Sequence, residues 1–128
     1  MDLLLDTHAF LWAAASPSRL SPRARRAILE PRNRVHLSLA SVWEMAIKAS
    51  LGKLRLSLSL SELVASAQSE QGITILPLDL DPVLRVQDLP WHHRDPFDRL
   101  IVAQAMAGAL AIVGRDPAFD AYPVRRVW

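Results

Sequence analysis

The chain has 128 residues, the size of a single domain, and residues 1–128 are expected to fold as one unit. Hydrophobic residues make up 51% and charged residues 22%, which predicts a folded protein and not a disordered one. No apolar run approaches the roughly 20 residues that span a bilayer, and no basic segment precedes the opening Leu run, so we expect neither a membrane anchor nor a signal peptide. The absence of cysteine excludes disulfides, cysteine zinc sites and thiol nucleophiles, and it agrees with a cytoplasmic location.

The charge is distributed unevenly, although the net charge is only +2. Residues 1–60 carry nine basic and four acidic side chains, whereas residues 61–128 carry six basic and nine acidic ones. Of the 15 basic residues, 13 are Arg, whose planar guanidinium can bind phosphate through two hydrogen bonds. This bias fits phosphate recognition, and it fits equally well an Arg-rich usage that follows genomic base composition.

Short apolar runs predict strands, and the capped or Pro-initiated segments between them predict helices. In chain order, the predicted strands are residues 3–5, 35–37, 73–76, 110–113 and 124–127. The predicted helices are residues 9–15, 21–29, 40–51, a segment from 59 or 61 to about 72, a short helix beginning at 81–82, residues 95–107 with Gly108 as the stop, and a helical turn beginning at 116–117. Because strands and helices alternate throughout, the sequence predicts an α/β domain with a largely parallel sheet.

Four carboxylates occupy positions from which they could meet at one edge of this sheet. Asp6 and Asp116 come at or just after the ends of predicted strands, and sites in open parallel sheets form outside the carboxyl ends of the strands. Glu44 and Asp98 lie in predicted helices that could reach the same crevice. Carboxylates that crowd together repel one another and persist best around a divalent cation, and their oxygen ligands suit Mg²⁺ or Mn²⁺.

Each of these acids also has a purely structural interpretation. Asp6 and Asp116 are placed to cap the helices that follow them, and Asp98 would complete a capping box at the start of its own helix. Glu44 and Lys48 are four residues apart on one helix face, the spacing of a solvent-exposed ion pair. Spacing alone therefore leaves both the metal site and these local roles open.

The residues around the four acids form four blocks. They are LLLDTHAFLW at 3–12, SVWEMAIKASLGKL at 41–54, PWHHRDPFDRLIVAQA at 90–105 and RDPAFDAYPV at 115–124. In content and order these blocks resemble a PIN-domain ribonuclease, and more narrowly a VapC-type toxin of a type II toxin–antitoxin pair. The resemblance extends over nearly the whole chain. It implies a three-layer α/β/α sandwich with a five-stranded, mainly parallel sheet.

The resemblance also implies the site. Its catalytic, metal-binding acids correspond to Asp6, Glu44, Asp98 and Asp116, with Mg²⁺ or Mn²⁺ as the cofactor. The implied activity is endonucleolytic hydrolysis of RNA phosphodiester bonds. The implied partners are the RNA substrate, a small cognate antitoxin, and a second copy of the chain, within a hetero-oligomer. One position departs from the family: Gly114 stands where a Thr or Ser often comes two residues before the last acid, so a hydroxyl that could hold a carboxylate or a metal-bound water is missing.

The contacts to RNA are less constrained than the acids. Arg99 follows Asp98 and is a candidate for gripping a phosphate, although a surface Arg on a helix is the ordinary alternative. Trp12 and Trp43 are candidates for stacking on unpaired bases, although burial in the core is the usual role of Trp. The adjacent pair His92-His93 is not expected to hold zinc, because neighbouring rings point apart and no cysteine is present.

Other functions with an acidic pocket fit less well. A haloacid-dehalogenase-type phosphatase needs a second Asp two residues after the first, where this chain has His8. A receiver domain needs a phosphoacceptor Asp near the middle of the chain, and no acid lies between Glu44 and Glu62. The remaining alternative is a catalytically silent PIN-like domain that binds RNA or a protein partner without cutting.

Overall fold

Five parallel strands form the central sheet of the computed structural model, which describes residues 1–128. The strands are β1 (Asp2–Leu5), β2 (Arg34–Ser38), β3 (Thr74–Leu76), β4 (Ala111–Val113) and β5 (Arg126–Val127). Their order across the sheet is β3-β2-β1-β4-β5, and every neighbouring pair is parallel. In register, Leu3 of the central strand β1 lies opposite Val35 of β2 and Ala111 of β4. The predicted parallel sheet is confirmed.

Six α-helices connect the strands. They are α1 (Thr7–Ala15), α2 (Pro22–Leu29), α3 (Leu39–Ser50), α4 (Leu60–Glu70), α5 (Leu80–Arg85) and α6 (Pro96–Gly108). Three short 3₁₀ helices, which the sequence predicts only at the last position, cover Pro17–Arg19, Val86–Asp88 and Pro117–Ala121. No helix combines the length and the apolar character that crossing a membrane requires.

The side chains of β1 alternate between two hydrophobic cores, one on each face of the sheet. Leu3 and Leu5 belong to a core that includes Phe10 of α1 and residues of α2, α3 and α4. Leu4 belongs to a second core with Ile101 and other residues of α6. All five side chains are fully buried, and each stabilises the fold by roughly 1.5–3 kcal/mol. Helices therefore cover both faces of the sheet, as the three-layer α/β/α architecture requires.

The helix boundaries lie within two residues of the sequence prediction, and two of the differences have a clear cause. Helix α6 includes Gly108, and the residue in the left-handed conformation at its end is Ala109, with φ of 53°. A side chain at Gly108 would lie 3.3 Å from Cγ of Leu110, so the missing Cβ leaves room for Leu110 to fold over the helix end. Helix α5 begins at Leu80 after Asp79, because Pro82 fits inside its first turn and does not start the helix.

The carboxyl ends of β1 and β4 are joined where the candidate site lies. The backbone N–H of Asp6 donates to the carbonyl of Val113 at 3.0 Å, so the end of β1 stays paired up to the N-cap residue of α1. Helix α3 begins immediately after β2, with Ser38 as its N-cap. As a result, the first residues after β1, β2 and β4 are brought to one edge of the sheet, as expected from parallel strands.

Candidate active site

Asp6 is a buried carboxylate at the end of β1 and only 6% exposed. Its Oδ1 accepts a hydrogen bond of 2.7 Å from the backbone N–H of Ala9 and so caps α1. Burial is the main cause that raises the pKa of Asp6 from 3.8 to about 6, and the nearby charges of Glu44 and Asp116 raise it further. The local prediction of a cap is confirmed, and the second oxygen, Oδ2, is not used by the cap.

Gly114 is the residue against which Oδ2 of Asp6 packs. A Cβ at Gly114 would lie 2.7 Å from that oxygen and 3.2 Å from the ring of Phe119. The first distance is too short for a real contact, so any side chain at this position displaces Asp6 or the backbone. Gly114, which stands where the family often has Thr or Ser, therefore leaves space for the Asp6 carboxylate as well as lacking a hydroxyl.

Glu44 lies on the buried side of α3 and is held at both oxygens. The hydroxyl of Thr7 donates to Oε1 at 2.6 Å, and the ammonium of Lys48 donates to Oε2 at 2.6 Å. Thr7 Oγ1 also lies 3.0 Å from the buried Ser41 hydroxyl. The bond to Glu44 raises the pKa of Lys48 above its ordinary value. The interpretation of Glu44 and Lys48 as a solvent-exposed pair was wrong, since Glu44 is only 5% exposed and Thr7 ties it to the start of α1.

Asp98 lies in the first turn of α6 and is half-buried. The helix cap is supplied by Asp95, whose Oδ1 accepts hydrogen bonds from the backbone N–H groups of Phe97 and Asp98. The Asp98 carboxylate itself therefore takes no part in the cap. Burial is the largest cause that raises its pKa from 3.8 to about 7, and the charges of Asp95, Asp6 and Glu44 raise it further.

Asp116 begins the 3₁₀ helix after β4, and both of its oxygens have partners. Oδ1 accepts a hydrogen bond of 2.9 Å from the backbone N–H of Ala118, and Oδ2 lies 3.0 Å from Nε2 of His93. The Asp116 side chain is 47% exposed, whereas that of His93 is almost fully buried. The carboxylate therefore has a fixed orientation although it borders solvent.

Three of the four acids line one pocket of about 420 Å³. The pocket is lined by Asp6, His8, Trp12, Asp98, Arg115 and Asp116, among others. Glu44 does not line it but lies near enough to raise the pKa values of Asp6 and Asp98. A larger cavity of about 560 Å³, beside α2 and the end of α4, contains none of these acids. The chemistry of the side chains, and not the size of the cavity, singles out the acidic pocket.

The acidic pocket fits a divalent cation in its chemistry. Of the four acids, only Glu44 forms an ion pair with a Lys or Arg. Burial of Asp6 and Asp98 is therefore not offset by a direct Lys or Arg partner, and the charge of His93 lowers the pKa of Asp98 only in part. Such a set of oxygen ligands suits Mg²⁺ or Mn²⁺. In this conformation no three His, Asp or Glu side chains come close enough together to enclose a metal ion by themselves. Asp6 and Asp98 are the acids best placed to bind a metal, and water ligands would have to complete its coordination.

Arg99 does not have the predicted role of gripping phosphate. It is only 3% exposed, and its guanidinium donates to the carbonyl oxygens of Pro90, Val86 and Leu89 at 2.9–3.2 Å. The same group stacks 3.7 Å above the ring of Trp91. Arg99 therefore holds the segment before α6 in place, and the prediction of a phosphate contact was wrong because its donors are already used.

The two candidate Trp residues lie in different surroundings. Trp12 is half-buried beside the acidic pocket, with its ring 5.7 Å from those of His8 and Trp128. Trp43 is 57% exposed on α3, does not line the pocket, and makes an edge contact of 5.3 Å with Phe97 of α6. Of the two, only Trp12 lines the acidic pocket.

Sequence reasoning missed two residues that hold the acids. Thr7 contacts Glu44 across 37 positions of the chain, and His93 contacts Asp116 across 23. No local spacing could have identified either contact. The available signals were only that Thr7 follows Asp6 directly and that His93 belongs to the same sequence block as Asp98.

Comparison with known proteins identifies the family. The sequence model of the PIN domain matches residues 3–124. No curated protein matches the chain. Among solved structures, VapBC2 from Rickettsia felis bound to a promoter DNA fragment is similar, with a TM-score of 0.72 and 15% identity over 100% of both chains. DNA-bound VapBC from Salmonella typhimurium has a TM-score of 0.68 and 17% identity, over 98% of this chain and 96% of that one.

A third similar structure is FitAcB from Neisseria gonorrhoeae, with a TM-score of 0.60 and 22% identity, over 97% of this chain and 95% of that one. At these identities the structural matches establish a shared fold, and the fold agrees with the observed five-stranded parallel sheet. The sequence match covers nearly the whole chain, including all four acids of the candidate site. The chain belongs to the PIN-domain family.

Proposed function

We propose that the chain is a Mg²⁺- or Mn²⁺-dependent endoribonuclease and the toxin of a VapC-type, type II toxin–antitoxin pair that acts in the cytoplasm. The observation that carries the proposal is the meeting of Asp6, Asp98 and Asp116 at one pocket, with Glu44 close behind them. Burial and mutual repulsion raise the pKa values of Asp6 and Asp98, which is the electrostatic state expected of acids that bind a cation.

Each acid has a distinct part in this proposal. Asp6 and Asp98 hold the metal, and Glu44 and Asp116 complete the acidic pocket directly or through water. Bound there, Mg²⁺ or Mn²⁺ would lower the pKa of an attacking water and offset the charge that builds on the phosphodiester. The caps at Asp6 and Asp116, and the two bonds to Glu44, restrict the carboxylates before substrate arrives.

The direct test is cleavage of total cellular RNA by the purified chain, free of antitoxin. Discrete fragments are expected with Mg²⁺ or Mn²⁺ and none with EDTA. Asp98→Asn is expected to abolish cleavage, whereas Asp79→Asn, at the exposed N-cap residue before the separate helix α5, should cleave like the wild type. Cleavage in EDTA, or full activity of Asp98→Asn, contradicts the proposal. RNA binding without any cleavage would favour the catalytically silent alternative.

Trp12 is the proposed contact for an unpaired base, because its ring borders the acidic pocket beside His8. Base stacking on an aromatic ring contributes about 1–3 kcal/mol per base, so Trp12→Ala should raise KM for single-stranded RNA roughly tenfold or more. Trp12→Phe keeps a stacking surface and should lose less. An unchanged KM in Trp12→Ala would assign this ring to the core alone.

A small antitoxin is the proposed protein partner. VapBC2 from Rickettsia felis, VapBC from Salmonella typhimurium and a toxin–antitoxin complex from Klebsiella pneumoniae share this fold. We propose that a segment of the antitoxin covers the acidic pocket and so blocks access to the acids. Titration of the chain with its cognate antitoxin should suppress cleavage at one equivalent. Unchanged activity in a saturated complex would contradict this part of the proposal.

A second copy of the chain is the proposed occupant of an apolar stripe on α3. The stripe consists of four exposed residues spaced four apart: Leu39, Trp43 and Ile47 in the helix and Leu51 at its C-cap. Helix α5 adds three more exposed apolar side chains, and both helices pack on α6. An exposed apolar patch of this kind can pair with the same patch of a second copy about a two-fold axis. Light scattering should give a dimer for the wild type and a monomer for Ile47→Glu.

A further inference from the structure

His93 is a buried histidine whose two ring nitrogens both have partners. Nε2 lies 3.0 Å from Oδ2 of Asp116, and Nδ1 lies 3.2 Å from the hydroxyl of Tyr122. That hydroxyl also donates to the carbonyl oxygen of Pro90, at 3.4 Å. The imidazole is stacked on the Tyr122 ring at 5.6 Å and packs against Phe119 at 4.6 Å. The ring is therefore fixed by packing on its faces and by hydrogen bonds at its edges.

The partners determine which nitrogen faces the acid as a donor. An ionised carboxylate can only accept, so Nε2 of His93 must carry the proton that points at Asp116. In the neutral ring, Nδ1 then accepts from the Tyr122 hydroxyl, which in that form does not donate to Pro90. In the protonated ring, Nδ1 donates to the Tyr122 oxygen, which can still donate to Pro90. Both forms of the ring leave the same N–H directed at Asp116.

His93 also joins the two segments that carry acids. It belongs to the loop that leads into α6, five residues before Asp98, and it contacts the turn that begins at Asp116. Its partner Tyr122 closes the far end of that same turn. A change in the His93 ring would therefore move Asp116 relative to Asp98.

We propose that His93 is a positioning residue for metal binding: it fixes the orientation of the Asp116 carboxylate, and Tyr122 fixes His93. The proposal rests on the proposed metal-dependent function and adds two residues that the four-acid set does not include. Removing a partner that orients a metal ligand typically weakens metal affinity by about 10–100-fold. His93 itself touches neither substrate nor metal.

The experiment measures Mn²⁺ affinity of the antitoxin-free chain by electron paramagnetic resonance, which does not depend on cleavage. His93→Ala should bind Mn²⁺ about tenfold more weakly. His93→Gln keeps an N–H near the position of Nε2 and should recover most of the affinity. Tyr122→Phe keeps the stacked ring but removes the hydroxyl, and it should give a smaller loss in the same direction. Gln68→Ala, at an exposed residue of α4 away from the acidic pocket, is the control and should bind like the wild type.

A double-mutant comparison separates positioning from general destabilisation. If His93 acts through Asp116, then His93→Ala should cause no further loss of Mn²⁺ affinity in an Asp116→Ala background. In cleavage assays His93→Ala should lower kcat and leave KM for RNA unchanged. Where His93→Ala does not fold, His93→Gln and Tyr122→Phe carry the same comparison with Asp116→Ala.

The outcomes distinguish this inference from the function on which it rests. Wild-type Mn²⁺ affinity in His93→Ala, or a loss that adds in full to that of Asp116→Ala, overturns the positioning role. If Asp98→Asn still loses Mn²⁺ in that case, the proposed function stands without it. If the wild-type chain binds no Mn²⁺, the proposed function fails and this inference fails with it.

Discussion

Asp6→Asn is expected to stabilise the metal-free protein at neutral pH while abolishing cleavage. Asn retains a side-chain oxygen that can accept the hydrogen bond from Ala9, so the N-cap of α1 is preserved. What the substitution removes is a buried negative charge whose pKa is raised from 3.8 to about 6, first by burial and then by the charges of Glu44 and Asp116. The negative charge of Asp6, which the proposed metal site needs, is therefore unfavourable when no metal is bound.

The size of the effect follows from the shift in the pKa of Asp6. A rise from 3.8 to about 6 corresponds to about 3 kcal/mol in the free energy of unfolding once both states are ionised. Because the folded-state pKa is the higher one, this stability is fully present below about pH 4 and is lost as the pH rises through 6. Above pH 7 the wild type should therefore be less stable than Asp6→Asn by about 2–3 kcal/mol. Below about pH 4 the difference should vanish.

Urea denaturation in EDTA at pH 4, 5 and 8 measures this difference. The matched control is Asp79→Asn, since Asp79 is also an N-cap Asp but is exposed and makes no side-chain cap bond. Its stability should stay within about 0.5 kcal/mol of the wild type at every pH. Mn²⁺ at 100 times its Kd should add about 2.7 kcal/mol to the wild type and nothing to Asp6→Asn, which closes the gap.

Two results would refute this reasoning. One is an Asp6→Asn variant that is less stable than the wild type at pH 8 in EDTA, because the ionised carboxylate would then be favourable at the start of α1. The other is a stability difference that does not change between pH 4 and pH 8. Either result would mean that burial does not penalise the Asp6 charge.

Three further substitutions test the supports of the site. Thr7→Val removes the hydrogen bond to Glu44. In cleavage kinetics it should lower kcat about tenfold, and in urea denaturation it should lower the free energy of unfolding by about 1–3 kcal/mol. Gly114→Ala places a Cβ 2.7 Å from Oδ2 of Asp6. It should weaken Mn²⁺ binding and lower the free energy of unfolding by about 1–3 kcal/mol. A Mn²⁺ affinity equal to that of the wild type would contradict the close contact. In Arg99→Lys, the ammonium cannot reach all three carbonyls at once, so the free energy of unfolding should fall by about 1–3 kcal/mol while KM for RNA stays unchanged. A raised KM at unchanged stability would instead support the phosphate contact of Arg99.

The sheet and its acidic edge could be predicted because their signals are local. Strands β1, β3 and β4 are built on short apolar runs, and each connection contains a helix with a cap or a Pro at its start. Parallel order then brings the ends of neighbouring strands together, so Asp6 and Asp116 could be assigned to one edge before the structure was known. The hydrogen-bond partners of these acids could not be predicted, since their side-chain contacts depend on elements that are far apart in the chain.

Glu44 and Arg99 illustrate that limit. A Glu and a Lys four residues apart form the same sequence pattern whether the pair is exposed or buried. Glu44 is buried because α3 packs against α1. For Arg99, the neighbouring Asp98 suggested a role at the phosphate. The carbonyls that Arg99 binds come from residues 86–90, whose 3₁₀ turn and loop the sequence does not predict. In both cases tertiary contacts, and not local propensity, determine the role.

Capping and metal binding are compatible roles for the same carboxylate. Asp6 and Asp116 each accept a backbone N–H through Oδ1, which leaves Oδ2 free of the cap. Oδ2 of Asp6 lies beside Gly114, and Oδ2 of Asp116 lies beside His93. A cap of this kind restricts the carboxylate without neutralising it. Asp98 has no such bond, because Asp95 caps α6 in its place, and its pKa is the higher one, at about 7.

This division of roles makes metal binding depend on pH in a defined direction. Binding requires ionised carboxylates, so a cation must displace the proton that Asp98 holds below about pH 7 and that Asp6 holds below about pH 6. The affinity for Mn²⁺ should therefore rise steeply up to about pH 7 and then level off. Asp98→Asn removes the group with the higher pKa, so any residual affinity in that variant should level off near pH 6. The acid without a cap is then the one that determines the pH at which the site becomes ready for a metal.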